Sequence, residues 1–198
     1  VAGDSSGDRA PRLGSASSSR YAGGMSALDW PVDADGYPHR EAARVLLFDD
    51  DGRVLLAMGH DEDQPERAWW FTIGGGIEEG EDPRAAAVRE VFEETGIRLE
   101  ASDLVGPVLY RTAEFDFLAV TARQDEWFFI AHAPSTTLSR DGWTELERSV
   151  IDTQRWWDID EATATIDGEI YPAQILEFAR VWKDGWDGQL IELTETRE

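Results

Sequence analysis

Between Gly74 and Ile97 the chain reads GGGIEEGEDPRAAAVREVFEETGI. Seven carboxylates (Glu78, Glu79, Glu81, Asp82, Glu90, Glu93 and Glu94) crowd there against two arginines, Arg84 and Arg89. On an α-helix, residues three and four apart are neighbours, so Glu90, Glu93 and Glu94 share one face. Like charges at that spacing destabilise a helix. A hard divalent cation such as Mg²⁺ removes the cost, because it prefers carboxylate oxygens and keeps waters for substrate exchange. The glycines upstream let the backbone turn tightly and aim a carbonyl or amide at a ligand with no side chain in the way. A strand, a glycine corner and an acidic helix thus make a platform for metal and phosphate. For an isolated E-x-x-E-E, a solvated acidic face would be the better account.

The surrounding elements must position that corner. Ala42–Asp49 (AARVLLFD) and Arg53–Met58 (RVLLAM) read as strands, joined by the Asp-Gly turn of Asp49–Gly52. Gly59–Arg67 reads as a polar loop, and Trp69–Ile73 as a third strand running into Gly74, Gly75 and Gly76. The helix that follows has Asp82 as N-cap, Pro83 at its first position and Gly96 just past its end. Val88, Val91, Phe92 and Thr95 recur at helical spacing as its buried stripe. Leu104–Phe115 and Asp125–Ala133 read as strands, Ser135–Glu145 as a long loop and Ser149–Ile159 as a last strand. A second helix begins near Pro172, with Ile175, Leu176, Ala179 and Trp182 inward. Strands and helices alternate without strict βαβ repetition, which predicts an α/β protein with helices on a mixed sheet.

Bulk properties narrow the function classes. The chain has 198 residues, 41% hydrophobic and 11% aromatic, enough for a sizeable core. Its formal net charge of −23 argues against wrapping a nucleic-acid backbone and for handling phosphate through a bound cation. No nucleic-acid partner is therefore expected. Cysteine is absent, so no thiolate nucleophile or cysteine zinc site exists. His39, His60 and His132 have no short-range partner, so a histidine metal site is not expected either. DADG (Asp33–Gly36) and DDDG (Asp49–Gly52) do not continue into calcium loops. No apolar run approaches a membrane span or a signal-peptide core, so no membrane partner is expected and cytoplasmic is the default location. Residues 1–38 read as a flexible tail, with Met25 as a candidate natural start behind an added leader, and residues 39–198 as the folded domain.

The spacing in the acidic stretch carries a specific resemblance. Gly75-x5-Glu81-x7-Arg89-Glu90-Val91-x-Glu93-Glu94-x-Gly96-Ile97 resembles the complete Nudix box, G-x5-E-x7-R-E-U-x-E-E-x-G-U with U apolar. The resemblance implies an α/β/α sandwich with the box as loop–helix–loop. It implies hydrolysis of a nucleoside diphosphate linked to some group X, with Mg²⁺ or Mn²⁺ and water attacking phosphorus, so the expected partner is a small-molecule nucleotide-like substrate. It also implies that Glu90, Glu93 and Glu94 bind metal, often with the carbonyl of Gly74, that Arg89 orients the carboxylates and that Glu81 supports the loop. Glu93, Glu94 and Arg89 are then the catalytic core. The general base in such proteins is a box glutamate or one outside, and here Glu145, Glu147 and Glu126 are the outside candidates. Homodimers are common among them.

Weaker candidates for substrate contact are Trp70, for base stacking, and Arg53, Arg67, Arg111 and Glu126. Trp69, Phe71 and Ile73 read as core by alternation, and Trp156 and Trp157 as packing residues. A non-catalytic nucleotide-sensing domain is the alternative function; such domains often lose box carboxylates, and this chain retains all of them. The isoprenoid-isomerase branch relies on a cysteine the chain lacks. The box speaks to metal and diphosphate and leaves X open.

Overall fold

The computed structural model describes residues 30–61, 64–117 and 120–195. Among them, eight strands form one mixed sheet in the order β6-β2-β3-β1-β5-β4-β8, with β7 beside β3. The strands are β1 (His39–Phe48), β2 (Val54–Asp61), β3 (Gln64–Gly76), β4 (Val105–Phe117), β5 (Val120–His132), β6 (Ile151–Trp157), β7 (Glu169–Tyr171) and β8 (Ile191–Glu195). The helices are α1 (Pro83–Thr95), α2 (Glu145–Val150), α3 (Ile159–Thr165) and α4 (Ile175–Trp182). β1 pairs parallel with β5, and β4 parallel with β8, while β1–β3, β2–β3 and β4–β5 are antiparallel.

β1 shows why the sheet is covered on both sides. Ala43, Val45 and Leu47 join a core with Ala86, Ala87 and Val91 of α1. Leu46 and Phe48, one residue out of phase, join a second core with Ile175, Ala179 and Trp182 of α4. Alternate residues of a strand point to opposite faces, so a continuous apolar run fits a strand buried on both. The result is the expected α/β/α sandwich.

The caps of α1 are those expected. Asp82 accepts from the backbone N–H of Arg84 at 2.9 Å, and Gly96 is left-handed at φ 75°. The buried stripe is the expected one only in part: Val91 and Thr95 are buried as expected. Phe92 is exposed and Val88 half-buried, whereas Ala86, Ala87, Glu90, Val91, Glu94 and Thr95 face inward. Hydrophobicity alone located the stripe off-centre, because two glutamates belong to the inner face.

Other boundaries shift. The polar segment Gly59–Arg67 is mostly strand: β2 runs on to Asp61 and β3 starts at Gln64. Backbone pairing between β2 and β3 continues past the last apolar side chains, with a register irregularity at His60/Asp61. The last predicted strand begins later, because Glu145–Val150 forms α2, capped by Thr144. β8 follows it at the far edge. Within the predicted tail, Trp30 is buried and Asp33 pairs with Arg123 at 2.9 Å, so residues 30–38 lie against the sheet. Residues 1–29, including the candidate start Met25, lie outside the described residues.

Candidate active site

The site begins with a backbone constraint. Gly74 of β3 lies opposite Arg44 of β1 at φ 133°, where a Cβ would meet the Ala43 carbonyl oxygen at 2.1 Å. Only glycine fits there. At Gly75 a Cβ would meet the carboxyl of Glu90 at 2.7 Å, so this glycine leaves room for α1 to lay a carboxylate against the strand. The Gly74 N–H donates to Glu94 Oε2 at 3.0 Å, and Arg44 Nη1 donates to the Gly74 carbonyl at 2.5 Å. A carbonyl has a second lone pair, so this contact leaves the Gly74 oxygen with an acceptor site.

Arg89 organises the box carboxylates. Its Nε and Nη2 grip Glu81 at 2.9 and 2.8 Å, its Nη1 donates to Glu90 at 2.8 Å and to Glu93 at 3.2 Å, and Nη2 also reaches the Gly76 carbonyl at 2.9 Å. The hydrogen bond from Arg89 holds Glu81 below the usual carboxylate range, and the same contact raises Arg89. Glu81 also accepts the Glu78 N–H at 3.0 Å, which closes the loop before α1.

Glu90 and Glu94 are buried. Burial pushes the Glu90 carboxyl up, against the pull of Arg89. Glu94 is pushed well above the ordinary range by burial, then by the charge of Glu90, with the Gly74 N–H opposing and Glu147 adding to the rise. Two desolvated carboxylates that repel each other suit a hard divalent cation, which would lower both costs. The donor set therefore fits the metal that the box implies. Glu93 is different: its side chain is 44% exposed and leans on Arg89. Among the described residues, no three His, Cys, Asp or Glu side chains already converge as a metal-binding group.

The corner adjoins a cavity of about 520 Å³, lined among others by Arg40, Arg44, Arg67, Arg111, Trp69 and Phe71. Arg44 is shared by both, since it lines the cavity and holds Gly74. Arg40 stacks over Trp30 at 4.3 Å and donates to Gln124 at 2.7 Å. Lost hydration and then the charge of Arg44 bring its pKa down to about 10. Among the described residues it has no ion pair, so it is a cation suited to an incoming anion.

The sequence candidates separate on this frame. Arg67 and Arg111 line the cavity. Arg53 does not: it pairs with Asp49 at 2.7 Å and Asp51 at 3.1 Å in the β1–β2 turn. Trp69 and Phe71, read as core, line the cavity, while Trp70 packs edge-on against Trp157 at 5.2 Å. Glu126 is buried between arginines, accepting from Arg44 at 3.0 Å, from Gln124 at 2.6 Å and from Arg111. Burial alone would raise its pKa, but the charges of Arg44 and Arg111 outweigh it and the carboxyl is lowered. Glu145 is exposed in the first turn of α2. Glu147 is buried, and its Oε2 accepts from the Thr144 N–H at 2.6 Å and hydroxyl at 2.8 Å. Sequence reasoning missed Arg40 and Arg44. Their signal was two arginines four apart on one face of a strand that is otherwise apolar there, Arg40-x-Ala42-x-Arg44-x-Leu46.

Known proteins are similar to parts of this chain in sequence or in fold. A protein of Dinoroseobacter shibae named RNA pyrophosphohydrolase is 40% identical over 75 residues, 38% of this chain and 45% of that protein. Its namesake in Sphingopyxis alaskensis is 43% identical over 74 residues, 37% of this chain and 45% of the relative. The chain thus spans less than half the length of the curated relatives it matches. The crystal structure of a MutT NUDIX hydrolase from Burkholderia pseudomallei superposes with TM-score 0.50 at 22% identity, over 70% of this chain and 95% of that one. The MutT protein of Methanosarcina mazei Go1 gives 0.50 at 19%, over 75% and 94%. These two are likenesses of fold.

The relatives overturn one expectation. A small-molecule substrate with no nucleic acid does not stand beside relatives whose name specifies RNA. The net charge misled because it is a sum over the whole surface, and beyond a Debye length of ~8 Å exposed charges are largely screened. Locally the cavity wall carries four arginines against three glutamates, Glu114, Glu126 and Glu195, a balance that the total of −23 conceals. No helix among the described residues is long and apolar enough to cross a membrane. A model of the NUDIX domain matches residues 38–177, a span that holds the glycine corner, the acidic helix and most of the sheet carrying them, and the chain belongs to that family.

Proposed function

We propose that this protein is a metal-dependent pyrophosphohydrolase that cleaves a diphosphate linkage carried by RNA. The observation that carries the reading is the buried pair Glu90 and Glu94 on the glycine corner, next to an arginine-lined cavity. A diphosphate linkage in RNA lies at its 5′ terminus, because internal nucleotides are joined through single phosphates. Only a terminus has to enter, which reconciles an RNA substrate with an acidic surface. The relatives' name supports this choice of X. We place the protein in the cytoplasm, a location that an RNA substrate suits.

Glu90 and Glu94, with Glu93 at the rim and the Gly74 carbonyl, would hold the cation, Mg²⁺ or Mn²⁺. When bound, it supplies charge neutralisation at the phosphate oxygens and acidifies water. Arg89 keeps the box carboxylates in place through its contacts with Glu81, Glu90 and Glu93. Arg40 and Arg44 meet phosphate oxygens from the cavity side, as charge-assisted donors. Trp69 and Phe71 give the unstacked terminal base an aromatic surface. Water attacks phosphorus and gives its proton to a carboxylate. The anhydride P–O bond breaks, and the leaving phosphate keeps the electron pair. The proton acceptor is Glu94 or Glu147, which act on one another electrostatically.

The test is turnover of 5′-triphosphorylated RNA in Mg²⁺, with Glu147→Gln beside the wild type. Release of phosphate or pyrophosphate, abolished by chelator, supports the proposal. Binding without turnover on RNA and on a panel of nucleoside diphosphate derivatives would favour a sensing role instead. Loss of kcat by ~100-fold in Glu147→Gln assigns the proton to Glu147, and a near wild-type rate assigns it to the box.

A further inference from the structure

We propose that Glu195 is a specificity-determining residue, whose carboxylate occupies the edge of Arg111 that a substrate phosphate would take. The inference deepens the reading above and rests on it. Glu195 lies on β8, beyond the family-matched span of residues 38–177. β8 pairs in parallel with β4, with Glu195 opposite Ala113. Leu193 packs on the apolar core two residues earlier, and the same alternation turns Glu195 inward. Both Glu195 and Arg111 line the cavity.

The guanidinium of Arg111 is divided between two carboxylates of unequal standing. Its Nη1 donates to Glu126, which is buried and also accepts from Arg44 and Gln124. Its Nε and Nη2 both donate to a single oxygen, Oε2 of Glu195, with Nε at 2.8 Å. That edge is a fork built for two acceptors side by side, and a phosphate group offers two. Glu126 is held by three partners, so its place is fixed. Glu195 has a side chain 25% exposed and belongs to an edge strand that, among the described residues, pairs with β4 alone. Of the two carboxylates it is the one that can yield. An anion entering the cavity gains Arg111 only by displacing it, so highly charged polyphosphate ends are admitted over singly charged groups.

Calorimetric titration with inorganic pyrophosphate, in chelator so that no metal contributes, tests this without turnover. In Glu195→Gln the fork loses its charged occupant, and pyrophosphate binding tightens by ~10-fold, the scale of one like charge removed at short range. The gain disappears when Arg111→Lys is added, since lysine has no fork. If Glu195 were only a strut between β4 and β8, Glu195→Gln would lower the melting temperature and leave affinity unchanged or weaker, and the proposal would fall. A gain that persists with Arg111→Lys would also overturn it. Should the amide variant not fold, Glu195→Asp, which draws the charge back by one methylene, must show a smaller gain in the same direction. If no RNA or nucleotide is ever turned over, the functional reading fails while these anion affinities still decide the role of Glu195.

Discussion

At the residue scale, Glu94 is where stability and function part. Its carboxyl is buried, accepts one backbone N–H from Gly74 and is raised by burial and by the charge of Glu90. An amide of the same shape still accepts that N–H but carries no charge to desolvate. Glu94→Gln is therefore expected to melt at or above wild type at pH 8 in chelator, while kcat falls by ~100-fold or more. A variant with normal turnover would show that Glu94 holds nothing the reaction needs. The acidic face was legible from spacing, because i, i+3, i+4 geometry follows from the helix itself. The inequality within it was not: Glu90 and Glu94 are buried while Glu93 leans outward, since burial depends on where β3 lies beneath α1. Arg44 was hidden for a related reason, being conspicuous only once Gly74 and Glu126 are known to be its neighbours.

At the element scale, the β1–β3 crossing holds the corner. A methyl at Gly74 would collide with the Ala43 carbonyl at 2.1 Å in a backbone conformation that L residues rarely adopt. Gly74→Ala is expected to destabilise the fold by ~3 kcal/mol or more, read by chemical denaturation. A cost below ~1 kcal/mol would mean the corner relaxes easily and does not hold the helix in place. The buried link Arg44–Glu126–Arg111 ties β1, β5 and β4. Glu126→Ala leaves two arginines facing one another and is expected to cost ~3 kcal/mol. The strands and α1 were readable from apolar runs, Asp82, Pro83 and Gly96. The extension of β2 and β3 through Gly59–Arg67 was not, because backbone pairing, which needs no apolar side chains, holds polar residues there in the sheet. Local pattern also missed β8, whose parallel pairing to β4 spans some eighty residues of sequence.

At the scale of the whole molecule, the acidic corner links stability to metal and pH. The folded-state pKa values of Glu90 and Glu94 lie above the ordinary 4.5. Their protonated forms are thus favoured in the fold: stability is full below about that value and declines as pH rises through the raised ones. In chelator, the melting temperature should fall as pH rises above 4.5, with other groups contributing their own slopes. Mg²⁺ or Mn²⁺ should raise it, and more so at high pH, where both carboxylates are charged. A metal effect independent of pH would place the cation elsewhere. The central claim is that this corner and its arginine cavity hydrolyse a diphosphate at an RNA terminus. The most direct test follows 5′-triphosphorylated RNA with Mg²⁺, comparing wild type with Glu94→Gln. The account predicts release of phosphate or pyrophosphate and a 5′-monophosphorylated RNA from the wild type, and loss of that release in the variant. RNA left intact by a folded, metal-loaded wild type, or equal release by both proteins, would contradict it.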